Sequence, residues 1–212
     1  MLNAIEDPYW SSLVRNNILL AEGMAKEAAD CENPDPEMTL EKYMWIRRDT
    51  IGTRQLFDLG RWIYEIDIPC EILTHPDIVK IENLFVDLVS LANDLYSYKK
   101  EWFECDTNHN YITIAFRDPV TGLRKNDVQG AIDYTYRTFC QSLTYLENQK
   151  KALPSYGESE DVQVAKYIKM VMDVVVGTIQ WSLECGRYGH LDVAGAAKAP
   201  NWGEVTFNMD PF

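Results

Sequence analysis

An amide, a hydroxyl and a carboxylate recur every four residues in the stretch Asn93-Asp94-Leu95-Tyr96-Ser97-Tyr98-Lys99-Lys100-Glu101. At 3.6 residues per turn, positions 93, 97 and 101 drift only about 80° around a helix while climbing about 12 Å, so their side chains form one continuous strip. Three oxygen donors on one strip can grip a hard cation. Two further groups have the chemistry of anion recognition. Arg47-Arg48-Asp49-Thr50-Ile51-Gly52 places a guanidinium pair one turn before a glycine inside a helical pattern, and Arg187-Tyr188 closes the last helical run. Each has a bland competitor. A carboxylate-rich helix is usually a solvated face, Arg187 near a helix C-terminus complements the helix dipole, and a tolerated helical Gly52 costs about 1 kcal/mol relative to Ala. The alternative for Gly52 is a deliberate helix break that exposes a backbone carbonyl to a ligand beside Arg47 or Arg48.

The elements that must carry these groups are helical. From about Asp77 to Phe103, the apolar residues Ile81, Leu84, Phe85, Leu88, Leu91, Ala92, Leu95 and Tyr96 follow a 3-4-3 pattern. Asn93, Ser97 and Glu101 border that stripe instead of lying opposite it, which favours an inward-facing role. Upstream, Tyr9 to about Ala29 reads as a helix on Leu13, Ile18, Leu19, Ala21 and Met24, followed by the turn-rich Asp30 to Pro36. Thr39 is the expected N-cap of a second helix that runs through Gly52 to Ile63. Pro69 to Pro76 read as a connector, and Thr107 to about Asn126 as a short helix plus a loop. Asp127 opens a helix to about Lys150 with Ala131, Tyr134, Phe139, Leu143 and Leu146 as its core stripe. The run from about Glu160 to Tyr188 is so apolar between Ile168 and Ile179 that it is expected to be a central helix. The tail, 189–212, is rich in Gly, Ala and Pro and is expected to be flexible.

With 212 residues, no low-complexity tract, no internal repeat and no convincing strand, the chain reads as one all-α domain over 1–212. A net charge of −13 argues against nucleic acid and anionic membrane surfaces as partners. A polyanionic small molecule remains compatible where metal ions or local Arg and Lys reverse the sign. Cys31, Cys70, Cys105, Cys140 and Cys185 are scattered, odd in number and form no CxxC pair, which points to reduced thiols and a cytoplasmic location. The first residues carry no signal-peptide pattern and no run is long enough to span a membrane. Trp181, Phe57 and Trp62 are candidates either for core or for the lining of a pocket whose aromatic faces could steady a cation. His75, His109 and His190 lack metal-ligand spacing.

Taken together, residues 93–101, the Arg47–Gly52 element and the Arg187-Tyr188 pair make the chain resemble the class I terpene synthases, specifically the microbial, fungal-like sesquiterpene cyclases. That family's asparagine-serine-glutamate motif reads Asn-Asp-hydrophobic-x-Ser-x-x-x-Glu, and residues 93–101 match every specified position. Lys100 matches a lysine often found just before the glutamate. The resemblance implies a class I terpenoid synthase helical bundle that ionises an allylic prenyl diphosphate, farnesyl diphosphate above all, and cyclises the carbocation with release of diphosphate. Asn93, Ser97 and Glu101 would then be Mg2+ ligands. Arg48 would sense the diphosphate, with Arg47 in reserve because the register is open by one. Gly52 would be the effector glycine, and Lys100, Arg187 and Tyr188 would donate hydrogen bonds to the departing oxygens.

The sequence departs from the family in one respect. Complete members carry an aspartate-rich motif on an earlier helix that binds further Mg2+, and this sequence contains no Asp-Asp pair. Residue 1 is therefore expected to enter the family pattern after that helix, an N-terminal truncation that removes one wall of the pocket. Two functions of different class follow: the C-terminal portion of a terpene cyclase, or a non-catalytic helical module that retains one Mg2+-diphosphate site or serves as a packing partner. An exposed apolar face would further suggest a homo-oligomer. A chain-elongating prenyltransferase is disfavoured, because those enzymes usually carry a second aspartate-rich motif where Asn93, Ser97 and Glu101 stand here.

Overall fold

A computed structural model of the chain describes residues 8–32, 35–124 and 127–188, and among them there are helices and no strands. The expected tail, 189–212, and His190 lie outside the described residues. In chain order the elements are α1 (Pro8–Glu32), α2 (Leu40–Thr50), α3 (Thr53–Ile63), α4 (Cys70–Leu73), α5 (Pro76–Phe103), α6 (Tyr111–Ala115), α7 (Val128–Lys151) and α8 (Glu158–Glu184), with single 3-10 turns at Pro119–Thr121 and Gly186–Tyr188.

Local chemistry sets most of these boundaries. The Thr39 hydroxyl accepts from the Lys42 N–H at the start of α2, and the Asp127 carboxylate accepts from Gly130 N–H at the start of α7. His75 caps α5 ahead of Pro76, whose missing N–H costs nothing in the first turn. Gly52 ends the ambiguity about the second helical run. It adopts φ +73°, the left-handed region, so the run is broken into α2 and α3 at this point.

The central helix is α5, not α8. From Phe85 to Tyr98 most of its side chains are buried all round, and α7 and α8 pack along it while α2, α3, α4 and α6 meet its remaining sides. Phe57, Phe85, Val86, Leu88, Leu146, Met170, Val171 and Val175 form the core around its N-terminal half. Around its C-terminal half Tyr43, Leu91, Leu95, Tyr98, Ile112, Ile114 and Ala131 form a second one. The apolar run of α8 is buried on one side only: Val176 and Trp181 are half exposed, and the helix ends at Glu184, short of the expected Tyr188. α1 packs against α2 and α3 but leaves Trp10, Val14, Ile18 and Met24 exposed. Of the expected α7 stripe, Ala131 and Leu146 are buried, Tyr134 and Phe139 pack partly buried, and Leu143 is exposed. At Gly60 a side chain would run into the Met170 sulfur, so glycine lets α3 close onto α8.

Candidate functional site

The hydrogen bonds around the strip converge on α5 from three directions. Asp94, only 1% exposed, is the hub. Its carboxylate accepts from the Tyr43 hydroxyl at 2.6 Å, from Arg47 Nε at 3.3 Å and Nη2 at 3.1 Å, and from the Tyr111 backbone N–H at 3.0 Å. Burial works against the Arg47 charge, but Asp94 beside it, together with Tyr43 and Glu27, offsets this and holds the guanidinium protonated more firmly than usual. Burial, with Asp94 nearby, pushes the Tyr43 phenol well up. The buried pair thus fixes a cation next to the first donor of the strip.

That donor, Asn93, stands between Arg47 and Tyr188. Its Oδ1 accepts from Arg47 Nη2 at 2.8 Å, and its Nδ2 donates to the Tyr188 hydroxyl at 3.1 Å. An amide oxygen has two lone pairs, so the bond from Arg47 leaves it able to accept or ligate once more. Ser97 is 5% exposed and its hydroxyl makes no hydrogen bond of normal geometry among the described residues. Such an orphaned buried hydroxyl normally costs stability, and its position between Asn93 and Glu101 fits a ligand oxygen. Burial raises the Glu101 carboxyl above its ordinary value, opposed by the adjacent Ser97 and Asn110 side chains. Asn110 Nδ2 donates to Glu101 Oε2 at 2.9 Å.

Several expected site residues are not brought to the strip. Arg48 binds Asp87 through two parallel bonds of 2.7 and 2.8 Å and lines an open pocket of about 530 Å³ with Thr39, Lys42 and Trp45. Of the two arginines, the first choice, Arg48, thus faces Asp87, and the reserve, Arg47, is the one beside Asn93. The two differ by one position, about 100° around α2, and that rotation sends one guanidinium to Asn93 and the other to Asp87. Lys100 pairs with Glu104 one turn on. Arg187 is exposed, with its guanidinium 5.8 Å from the centre of the Tyr188 ring. Gly52 stands at a true helix break, as the functional alternative required. Among the aromatics, Phe57 is core, while Trp62 and Trp181 are more than half exposed. His75 is an N-cap, and His109 packs on Tyr43 and lies 3.5 Å from Glu27.

The residues missed in the sequence are Tyr43, Asp87, Asp94 and Asn110. Asp94 alone had a signal, as an acid next to Asn93 on the apolar side of the strip. Tyr43 and Asn110 act across 51 and 9 residues of chain, and neither has a local pattern to mark it.

Residues 3–143 match the family described as "Terpene synthase family 2, C-terminal metal binding". Sesquiterpene synthase 3 of Postia placenta is 36% identical over 149 residues, which cover 70% of this chain and 39% of that protein. The Delta(6)-protoilludene synthase of Armillaria gallica is 34% identical over 169 residues, covering 79% of this chain and 46% of that one. The chain thus spans less than half the length of the curated relatives it matches. Among solved structures, an a-eudesmol synthase superposes with a TM-score of 0.72 at 20% identity, covering 84% of this chain and 56% of that one. Germacradien-4-ol synthase from Streptomyces citricolor superposes with a TM-score of 0.69 at 18% identity, covering 86% and 57%. At these identities the superpositions show a shared fold, that of the all-α class I enzymes.

Proposed function

Because the chain belongs to terpene synthase family 2, of the class I terpene synthases, with a metal-binding family region over residues 3–143, we propose that it serves a terpene cyclase acting on a prenyl diphosphate, farnesyl diphosphate in the first instance. The observation that carries this reading is the buried Ser97 hydroxyl, which adjoins the Glu101 carboxylate on one face of α5, follows the Asn93 amide by one turn, and makes no hydrogen bond of normal geometry among the described residues. Asn93, Ser97 and Glu101 would hold Mg2+, a hard cation suited to neutral and anionic oxygens. When bound, the ion would supply positive charge to the oxygens of the departing diphosphate.

The chain's own groups would do the rest. Arg47, already hydrogen-bonded to Asn93, is the proposed diphosphate sensor. Arg48 keeps a part in holding α2 to α5 through Asp87. The Tyr188 hydroxyl, bonded to Asn93, and the exposed Arg187 beside it would donate to the same anion, and Lys100 would have to leave Glu104 to join them. Gly52 turns the chain between α2 and α3, which frees backbone dipoles from helical pairing near Arg47. The five scattered cysteines suit a cytosolic place of work. The exposed apolar residues of α1 would make a homo-oligomer favourable.

The second reading, a non-catalytic helical module with one Mg2+-diphosphate site, draws on a specific observation. Among the described residues no cluster of three or more His, Cys, Asp or Glu side chains forms a further metal site. One experiment separates the two. The purified chain is incubated with farnesyl diphosphate and Mg2+, volatile hydrocarbons are measured by gas chromatography, and inorganic diphosphate binding is measured in parallel with wild type and Glu101→Gln. Hydrocarbon formation lost in Glu101→Gln supports the cyclase, and Mg2+-dependent diphosphate binding without hydrocarbons supports the module. Neither activity overturns both.

A further inference from the structure

Asn110 is the N-cap of α6 and is fully buried. Its Oδ1 accepts from the Ile112 backbone N–H at 2.9 Å, which is all that capping requires. Its amide nitrogen makes two further bonds, to the Asp94 carbonyl oxygen at 3.0 Å and to Glu101 Oε2 at 2.9 Å. The orientation follows from the neighbours: a backbone donor on one side and two acceptors on the other leave only one way to turn the amide. The cap itself has no need of the amide nitrogen, since Asp and Ser cap a helix about as well as Asn.

The path that brings Asn110 back to α5 is equally specific. After Glu104 the chain enters the left-handed region at Cys105, φ +56°. The Asp106 N–H donates to the Glu101 carbonyl at 2.9 Å, and the Cys105 N–H donates to the Trp102 carbonyl at 3.3 Å. This pair of bonds is a Schellman ending, and it reverses the chain directly beneath Glu101. Backbone and side chain of the same glutamate are therefore both tied to the segment that leads into α6.

We propose that Asn110 is a positioning residue for the Glu101 carboxylate. It clamps Oε2 against the α5 backbone at Asp94, so that the carboxylate is held beside Ser97 and Asn93 with its other oxygen turned to a cation. The inference rests on the reading of Asn93, Ser97 and Glu101 as cation donors, and it adds a fixed outer support to that set. A carboxylate on a flexible side chain, if left free, loses entropy on binding an ion; a carboxylate already fixed by a neutral amide loses less. Partners of this kind typically carry 10- to 100-fold in metal affinity.

The test uses Mn2+ alone, titrated into the full 212-residue chain and followed by the electron paramagnetic resonance signal of the free ion. Wild type, Glu101→Ala, Asn110→Ser and Asn110→Asp are compared, with thermal melts beside each titration. Both Asn110 substitutions keep an N-cap oxygen and remove the amide donor. The expected result is about a 10- to 100-fold weaker Mn2+ affinity in both. Wild-type affinity in either one, with Glu101→Ala weakened, overturns the clamp and leaves the cation reading intact. A wild type that takes up no Mn2+ and is indifferent to Glu101→Ala overturns the cation reading and the clamp with it. Where the Asn110 variants fail to fold, the wild-type chain with 15N-labelled asparagine is titrated with Mg2+. With the Asn93 amide identified by its loss in Asn93→Ser, a second side-chain amide resonance that shifts with the midpoint of binding supports the clamp, and a shift confined to Asn93, or none at all, overturns it.

Discussion

A single buried carboxylate organises the site. Asp94 receives Tyr43, Arg47 and the first N–H of α6, so it links α2, α5 and α6 at one point. Removing one member of a buried ion pair leaves the other charge desolvated and unpaired, at a cost of about 3–5 kcal/mol. Asp94→Ala is therefore expected to lower the urea unfolding free energy by about that amount, and an effect below about 1 kcal/mol would show that Arg47 finds water instead. The strip itself was legible because a four-residue period of Asn, Ser and Glu beside an apolar stripe needs only helical geometry to interpret. Which of Arg47 and Arg48 faces the strip was not, because it depends on how α2 is rotated against α5. That rotation is set by Tyr43 and by the Asp87 and Asp94 carboxylates, contacts made across some 40 to 50 residues of chain.

At the scale of elements, Gly52 and Cys105 are two of the left-handed residues at which helices end, and their chemistry differs. Gly52 at φ +73° has open space around it, with only Leu20 Cδ2 within 4 Å of an added Cβ, at 3.9 Å. The penalty for a side chain there is thus one of backbone alone, and Gly52→Ala is expected to destabilise the chain by about 1–2 kcal/mol in urea titrations. Cys105 already bears that penalty at φ +56°. Cys105→Gly should relieve it and raise the unfolding midpoint, and a lowered midpoint would show that its side chain contributes more than its backbone costs. These two positions also explain why the sequence revealed one break and concealed the other. A glycine within a helical run is a visible signal, whereas a cysteine at the position after a C-cap is not. The dense apolar run of α8 misled for a related reason: hydrophobic content reports that a face can be buried, not how many neighbours the fold supplies. Val176 and Trp181 are left about half exposed, Trp181 in a T-shaped contact with the Tyr188 ring.

Across the whole molecule, buried acids give stability a particular dependence on pH. Burial raises Asp58, Glu82 and Glu101 above their ordinary values of 3.8, 4.5 and 4.5. Over the window from those values up to the raised ones, the folded chain binds more protons than the unfolded chain. The contribution of these groups to stability therefore falls as pH rises through the window, and it is recovered on acidification. Glu82 lies beside Arg54 and accepts a hydrogen bond from the Tyr167 hydroxyl, which Gln would retain. In Glu82→Gln, the fall in urea midpoint between about pH 4.5 and 7 is expected to be shallower than in wild type. An unchanged slope would assign the dependence to Asp58 and Glu101. Lastly, α5 is walled in along most of its length, and this bears on when the site exists as well as on where it stands. The enclosed stretch of a helix can exchange its amide hydrogens only when the surrounding helices detach together, so α5 from Phe85 to Tyr98 belongs to the last unit of the chain to open. Of the proposed donors, Asn93 and Ser97 ride on that unit and Glu101 stands one turn beyond it. Local breathing of α1 or α8 leaves their spacing intact, and the site vanishes only with the fold itself.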